Sequence, residues 1–389
     1  MSDGRVADRR RVLWLIRGLG PGGAEHLLLA AAKVHDAARF SFEAAYLLPW
    51  KDALVPALEG CGVITHCLDV RTPLDPRWLL RLARLVRSGS FDVVHVQSPL
   101  VAGLARPLLR LLPTPRTRPA LVYTEHNRWT GYKPGTRLAN RLTYGLDDAH
   151  LAVSEDTWNT IGPKQRTSVD VVVHGIVLEE VVRWREQRAA VREELGLGDD
   201  VVAVVTVANL RAQKAYPDLL EAARLVLAAR QDVVWLAIGQ GPLEAQVRQM
   251  AADMELGPRF RMLGHQPDAP RLVAACDLFA LASHSEGYPL SVMEALALGL
   301  PVVSTAVGGI PEAVRDGVEG ILVPPRRPDL LAQAVLRVAG DRELLSRLSE
   351  GARQRGQHHD IRASVRHTEA VYQRLVGLRD IRVGDGRPL

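Results

Sequence analysis

A chain of 389 residues exceeds one ordinary hydrophobic core and suits two domains, and 47% hydrophobic with 24% charged residues fits a globular protein in water. No apolar run approaches the roughly 20 residues of a membrane span, the basic start MSDGRVADRRRV lacks the apolar stretch and cleavage site of a signal peptide, and Cys61, Cys67 and Cys276 form neither a disulfide framework nor paired zinc motifs. The net charge of +5 comes without aromatics interleaved among the basic residues, so no nucleic-acid partner is expected, and the expected compartment is the cytoplasm.

The first half alternates short β-branched runs with longer helical patterns. Strands are predicted at 11–16 (RVLWLI), 42–48, 62–68, 92–96, 120–125 and 149–154, and helices over Ala24–His35, Pro76–Arg87 and Pro99–Leu112. This alternation predicts parallel strands joined by crossover helices, and the continuous apolar strands predict a sheet covered on both faces. The segment 169–177 (VDVVVHGIV) closes the first half, and a charged helical stretch follows over Glu179–Leu195. The pattern then restarts, with strands at 200–208, 232–239, 259–264, 276–282, 300–304 and 320–324. The fold class predicted is α/β, with two Rossmann-like doubly wound parallel-sheet domains facing a cleft. They span 1–177 and 178–363, and a C-terminal helix and tail (364–389) pack back on the first. Arginines gather over Arg71–Arg87 and Arg106–Arg118. The second stretch, RPLLRLLPTPRTRP, reads as a solvated helix face with a Pro-rich turn, or as a contact with anionic headgroups at the inner face of a membrane.

Ligands of doubly wound sheets bind in the loops that leave the carboxyl ends of the strands. In RGLGPGGAE (17–25), Gly18, Gly20, Gly22 and Gly23 permit a tight turn into a helix start that can face an anion. No acidic residue closes the second strand, which argues against a dinucleotide site. YTEHN sets Glu125 and His126 at a strand end, as structural residues or as catalysts. TVANLRAQK sets Arg211 and Lys214 after a strand, as solvated charges or as partners of a diphosphate. The densest segment is SHSEGYPLSVMEALALGLPVV (283–303). Glu286 lies in its loop, Gly287 allows close approach, Pro289 begins a helix, and the amides of Tyr288, Leu290 and Ser291 can point at a phosphate. Glu294, with seven residues between it and Glu286, sits among Val292, Met293, Ala295 and Leu296, an uncomfortable place for a solvated charge. STAVGGIPE (304–312) offers a second glycine turn into a helix.

GGAE, NLRAQK, GQGPLEAQV and above all SEGYPLSVMEALALGLPVVSTAVGGIPEAV followed by DGVEGILVPP resemble the GT4-type family of retaining glycosyltransferases of the GT-B fold. The resemblance spans about residues 11–365. It implies that Glu286 contacts the donor sugar, that His126 reaches the same sugar, and that Lys214 holds the diphosphate. It further implies that Glu294 holds the ribose, that Gly287, Tyr288, Pro289 and Leu290 line the sugar and distal phosphate, and that Gly22 and Gly23 approach the diphosphate. Gly264, His265 and Gln266 would border the nucleobase. Where many members read G-R-L, this chain has Ala208-Asn209-Leu210, with Arg211 two residues after the missing arginine. Gln97 stands where a second histidine is frequent, and His174 replaces a common asparagine.

The activity so implied is sugar transfer, with retention, from a UDP- or GDP-linked donor to a hydroxyl of a glycan, lipid-linked or small-molecule acceptor. No metal or other cofactor is expected, and the setting is bacterial polysaccharide or glycoconjugate biosynthesis. An isomerase of the sugar-nucleotide 2-epimerase type and a non-catalytic nucleotide-sugar-binding protein are the alternatives.

Overall fold

The computed structural model describes residues 9–71, 75–113, 118–166 and 168–384, with side chains to 378. The predicted Pro-rich turn falls partly on 114–117 and the predicted tail partly on 385–389, outside the described residues. Two units result, Met1–His174 with Ile361–Leu389, and Gly175–Asp360. These divisions lie three residues before the 177 and 363 read from the sequence.

The N-terminal unit holds seven parallel strands, β1 (Arg10–Ile16), β2 (Phe40–Tyr46), β3 (Ile64–Cys67), β4 (Val93–Val96), β5 (Ala120–Glu125), β6 (Ala149–Ala152) and β7 (Val169–Val171), in the order β3-β2-β1-β4-β5-β6-β7. Between them run α1 (Gly23–Val34), α2 (Val55–Gly60), α3 (Arg77–Gly89), α4 (Pro99–Leu111), α5 (Pro134–Thr143), α6 (Glu155–Thr160) and α7 (Pro163–Arg166). Successive strand side chains point to opposite faces, and the core divides accordingly. Leu13, Leu15, Val94, Val96, Leu121 and Tyr123 pack with Trp78, Leu82 and Val86 of α3 and Val101, Ala105 and Leu109 of α4. Val12, Trp14, Ile16, Phe40, Phe42 and Val122 pack with Leu28 of α1, Leu58 of α2, and Val371, Tyr372 and Val376 of the C-terminal helix.

The C-terminal unit holds six parallel strands, β8 (Val202–Val207), β9 (Val233–Ile238), β10 (Phe260–Gly264), β11 (Leu278–Leu281), β12 (Val302–Thr305) and β13 (Gly320–Val323), in the order β10-β9-β8-β11-β12-β13. The single helix predicted over Glu179–Leu195 is instead α8 (Leu178–Val182), a 3-10 turn (Arg183–Gln187) and α9 (Arg188–Glu194). Tertiary anchors outweigh periodicity there. Arg188 and Arg192 of α9 reach Asp277 at 2.5 and 3.2 Å, at the foot of β11. The unit continues with α10 (Tyr216–Ala229), α11 (Glu244–Asp253), α12 (Ala269–Ala274), α13 (Leu290–Leu298), α14 (Ile310–Ala313), α15 (Pro328–Gly340) and α16 (Arg342–Gly356). Helix α17 (Ile361–Gly384) returns to the N-terminal unit, where it packs beside α1.

Strand order reverses between β1 and β4 in one sheet and between β8 and β11 in the other. At such a reversal the flanking crossovers leave toward opposite faces, so the two central loops at the carboxyl edge part and leave a crevice.

Candidate active site

In the C-terminal unit that crevice brings together the loops after β8 and β11. Lys214 ends a 3-10 turn, Ala212–Lys214, and Ala215 takes the left-handed conformation (φ 49°) before α10 begins. From there the Lys214 ammonium donates to Glu286 Oε1 at 2.5 Å, and the Ser283 hydroxyl donates to the same oxygen at 2.5 Å. Glu286 is buried and Lys214 half-buried, so the pair is screened far less than a surface ion pair. The two loops are also tied by backbone, His284 N–H to the Gln213 carbonyl at 2.8 Å, and by the His284 ring, 2.7 Å from Asp218 Oδ2.

The glycine turn after β12 buttresses this loop from behind. Gly308 has φ 58°, and a Cβ placed on it would stand 2.0 Å from the Glu286 carbonyl oxygen. The Gly309 amide donates to the Gly287 carbonyl at 2.7 Å. The glycine turn of STAVGGIPE therefore supports the Glu286 loop, and the Gly309 amide at the start of α14 is not open to an anion.

Pro289, buried and extended (φ −74°, ψ 123°), caps α13 from just outside it. The amides of Leu290 and Ser291 open the helix, where no earlier turn supplies them a carbonyl. Tyr288 and Gly287 are half-buried beside them. One turn further along α13, Glu294 is half-buried and has no hydrogen-bond partner among the described residues. Burial pushes its carboxyl up to about 7.

Two more loops share this edge. Gly239 and Gly241, after β9, lie so close to the β8 loop that a Cβ would stand 2.0 Å from the Ala208 carbonyl oxygen and 2.4 Å from that of Leu210. Gly264 (φ 68°) accepts from Gly239 N–H at 2.8 Å. His265 is exposed, and the Gln266 amide folds back on the Leu263 carbonyl at 2.8 Å. Asn209 is half-buried and its carbonyl accepts from Arg211 N–H. The Arg211 side chain is exposed, without a partner among the described residues.

In the N-terminal unit, Gly22 precedes α1 in extended backbone and accepts from the His26 amide at 3.0 Å, while Gly23 begins the helix. At the ends of β4 and β5 the groups are imidazoles and amides. Gln97 Oε1 lies 2.7 Å from His126 Nε2, and the His126 ring stacks on His174, centroids 5.6 Å apart and 15° from parallel. Behind them His95 bonds Thr124 Oγ1 at 2.7 Å and the Tyr372 hydroxyl at 2.5 Å. These residues line a cavity of about 60 Å³. Burial holds His126 well below the ordinary histidine range, His95 at about 3 and His174 at about 4, each in its uncharged form near neutrality. Glu125 turns the other way. It is fully buried, accepts from Trp129 Nε1 at 2.6 Å and from the Tyr132 hydroxyl, and burial raises its carboxyl to about 7. It locks the loop that carries His126.

Sequence reasoning passed over Ser283 and Gly308 as parts of this arrangement. The first stands three residues before Glu286 in the quoted motif. The second was noted only as a turn. Among the described residues no group of His, Cys, Asp and Glu has a metal-binding arrangement, and no helix is long and apolar enough to cross a membrane.

The model of the Glycosyltransferase Family 4 family matches residues 15–180, and that of the Glycosyl transferases group 1 family residues 187–355. The chain is 25% identical to N-acetyl-alpha-D-glucosaminyl L-malate synthase of Bacillus anthracis, over 72% of this chain and 74% of that protein. It is 28% identical to the D-inositol 3-phosphate glycosyltransferase of Kribbella flavida, over 84% and 83%. With the Escherichia coli UDP-Gal:alpha-D-GlcNAc-diphosphoundecaprenol alpha-1,3-galactosyltransferase the identity is 25%, over 76% and 79%. Among solved structures, Anabaena HepE in complex with UDP and glucose superimposes with a TM-score of 0.80 at 20% identity, covering 93% of this chain and 98% of that one. With one family model on each unit and relatives spanning both, the chain belongs to the GT4-type family of glycosyltransferases, with the GT-B fold.

Proposed function

We propose that this chain transfers a hexosyl group from a UDP- or GDP-linked sugar to a hydroxyl acceptor, with retention of configuration and without a metal. The observation that carries this reading is the Lys214–Ser283–Glu286 cluster beside the amide start of α13. Breaking the sugar–phosphate bond leaves negative charge on the departing diphosphate and positive character at the anomeric carbon. Lys214 and the α13 amides meet the first. Glu286 and His126 orient the sugar hydroxyls, and Glu294 holds the ribose. The acceptor oxygen bonds to the anomeric carbon on the face the diphosphate leaves, and its proton passes to the leaving phosphate oxygen. Retention follows from that same-face exchange. An exposed Arg211 is free to swing toward the diphosphate in place of the arginine the family carries at position 209.

The UDP bound in Anabaena HepE and the UDP-Gal in the name of the E. coli relative support a nucleoside-diphosphate donor. The relatives' named products and substrates include a malate, an inositol phosphate and a diphosphoundecaprenol. These support a hydroxyl acceptor that is a glycan, a lipid-linked sugar or a small molecule. The test is a panel of UDP- and GDP-sugars scored by thermal stabilisation and slow donor hydrolysis, with the product anomer read by proton NMR and the assay repeated in EDTA. One donor should stabilise the protein and give a retained product at an unchanged rate in EDTA. An inverted product removes the retaining assignment, and a rate abolished by EDTA removes metal independence. An epimerised sugar formed without acceptor would instead favour the isomerase, and donor binding with no hydrolysis the binding protein.

A further inference from the structure

The arginine stretch that suggested a lipid contact does not supply one through its first two arginines. Arg106 is fully buried, 2.7 Å from Asp147, and Arg110 is paired with Asp148 at 2.9 Å. The leucines on either side of them are another matter. On α4, Leu104 and Leu111 are 44% and 80% exposed and stand seven residues apart, on one stripe of the helix. On α5, Leu138 and Leu142 are 58% and 75% exposed, one turn apart. The two helices meet closely: a Cβ on Gly103 would stand 3.0 Å from the Cβ of Ala139. The two packed helices thus each present exposed leucines.

Charge on this face has one sign. Helices α3, α4 and α5 contain arginines and not one carboxylate. Arg137 and Arg141, beside the leucines of α5, are exposed, and their guanidinium groups have no partner among the described residues. A solvated helix face ordinarily mixes both charges and keeps leucine inside. We infer that the α4–α5 face docks on an anionic membrane surface, its leucines entering the headgroup boundary and Arg137 and Arg141 meeting the phosphates. Both helices begin just past the carboxyl edge of the sheet, α4 after Gln97 and α5 after His126. A lipid-borne acceptor would arrive at that edge. The inference does not depend on the donor reading.

Co-sedimentation of the full chain with vesicles decides it. The protein should pellet with phosphatidylcholine vesicles holding about one third phosphatidylglycerol, at least tenfold more than with pure phosphatidylcholine, and less in about 0.5 M salt. Leu138→Glu with Leu142→Glu, and separately Arg137→Gln with Arg141→Gln, should each lower the bound fraction about tenfold while melting temperature and donor hydrolysis stay as in the unaltered protein. Equal pelleting with both lipid compositions, no pelleting, or unaltered pelleting of the variants overturns the inference. So does a leucine variant whose elution volume shows that the face had joined two copies of the chain.

Discussion

The two sheets share one strand-order reversal, yet their carboxyl edges are chemical opposites. At the N-terminal edge, burial leaves His95, His126 and His174 uncharged and held by neutral partners. At the C-terminal edge an ammonium and a carboxylate face each other 2.5 Å apart. The scaffold does not decide this. What decides it is whether a buried group has an opposite charge within reach, because a charge lacking one shifts to its neutral form. A neutral edge suits hydroxyl groups, and a charged one suits a diphosphate.

Removing the ammonium breaks the comparison most directly. In Lys214→Ala turnover should fall about 10²–10³-fold, the usual loss on deleting one preorganised charge stabiliser. Circular dichroism should show the chain still folded, and donor hydrolysis under single-turnover conditions gives the rate. A near-normal rate would mean that the charged edge is structural.

Gly308→Ala comes next. The left-handed backbone and the close approach to the Glu286 carbonyl together should cost about 2–4 kcal/mol of stability. Because the relief available is a shift of the Glu286 loop, donor KM should rise as well. Urea denaturation and donor titration measure the two. A variant that loses stability with KM unchanged would show that the glycine turn supports the fold and not the site.

Much of this was legible in the sequence for a physical reason. Strands buried on both faces are unbroken apolar runs, so their positions and the tandem arrangement could be read directly. Because ligand loops follow strands, Lys214 and Glu286 could be singled out, but their 2.5 Å contact joins loops 72 residues apart. Ser283 and Gly308 were harder, since their importance lies in what they touch across the edge. The arginines misled where long-range partners intervened. Arg106 looks solvent-facing in RPLLRLL, but Asp147 takes it into the interior. The C-terminal helix begins at 361, not 364, because burial of Ile361 and the bond from Ser364 Oγ to the Ile361 carbonyl extend it backwards.

On the neutral edge, Gln97→Leu should lower turnover roughly tenfold, the scale of one lost hydrogen bond in a buried site. With its oxygen 2.7 Å from Nε2, Gln97 favours the His126 tautomer that carries its proton on Nε2 and leaves Nδ1 as an acceptor. Leucine removes that preference. Nitrogen-15 shifts of labelled histidine should show Nε2–H in the parent and a tautomer mixture in the variant. An unchanged tautomer would assign the fixing of His126 to its stack on His174.

A pH-dependent effect separates the two carboxylates of one motif. Glu286 has a cation, whereas Glu294 has none, and its carboxyl rises from the ordinary 4.5 to about 7. A raised acid holds its proton more tightly folded than unfolded, so its contribution to stability is full below about 4.5 and is lost as pH climbs to about 7. Glu294→Gln has no such proton to lose. Parent and variant should melt together near pH 4.5 and separate by pH 8, the variant being the more stable by roughly 1–3 kcal/mol, although its donor binding should weaken if the carboxylate holds ribose. Melting curves that stay parallel across this range would mean Glu294 ionises freely in the folded chain. The contrast between a paired and an unpaired carboxylate on one loop and helix would then disappear.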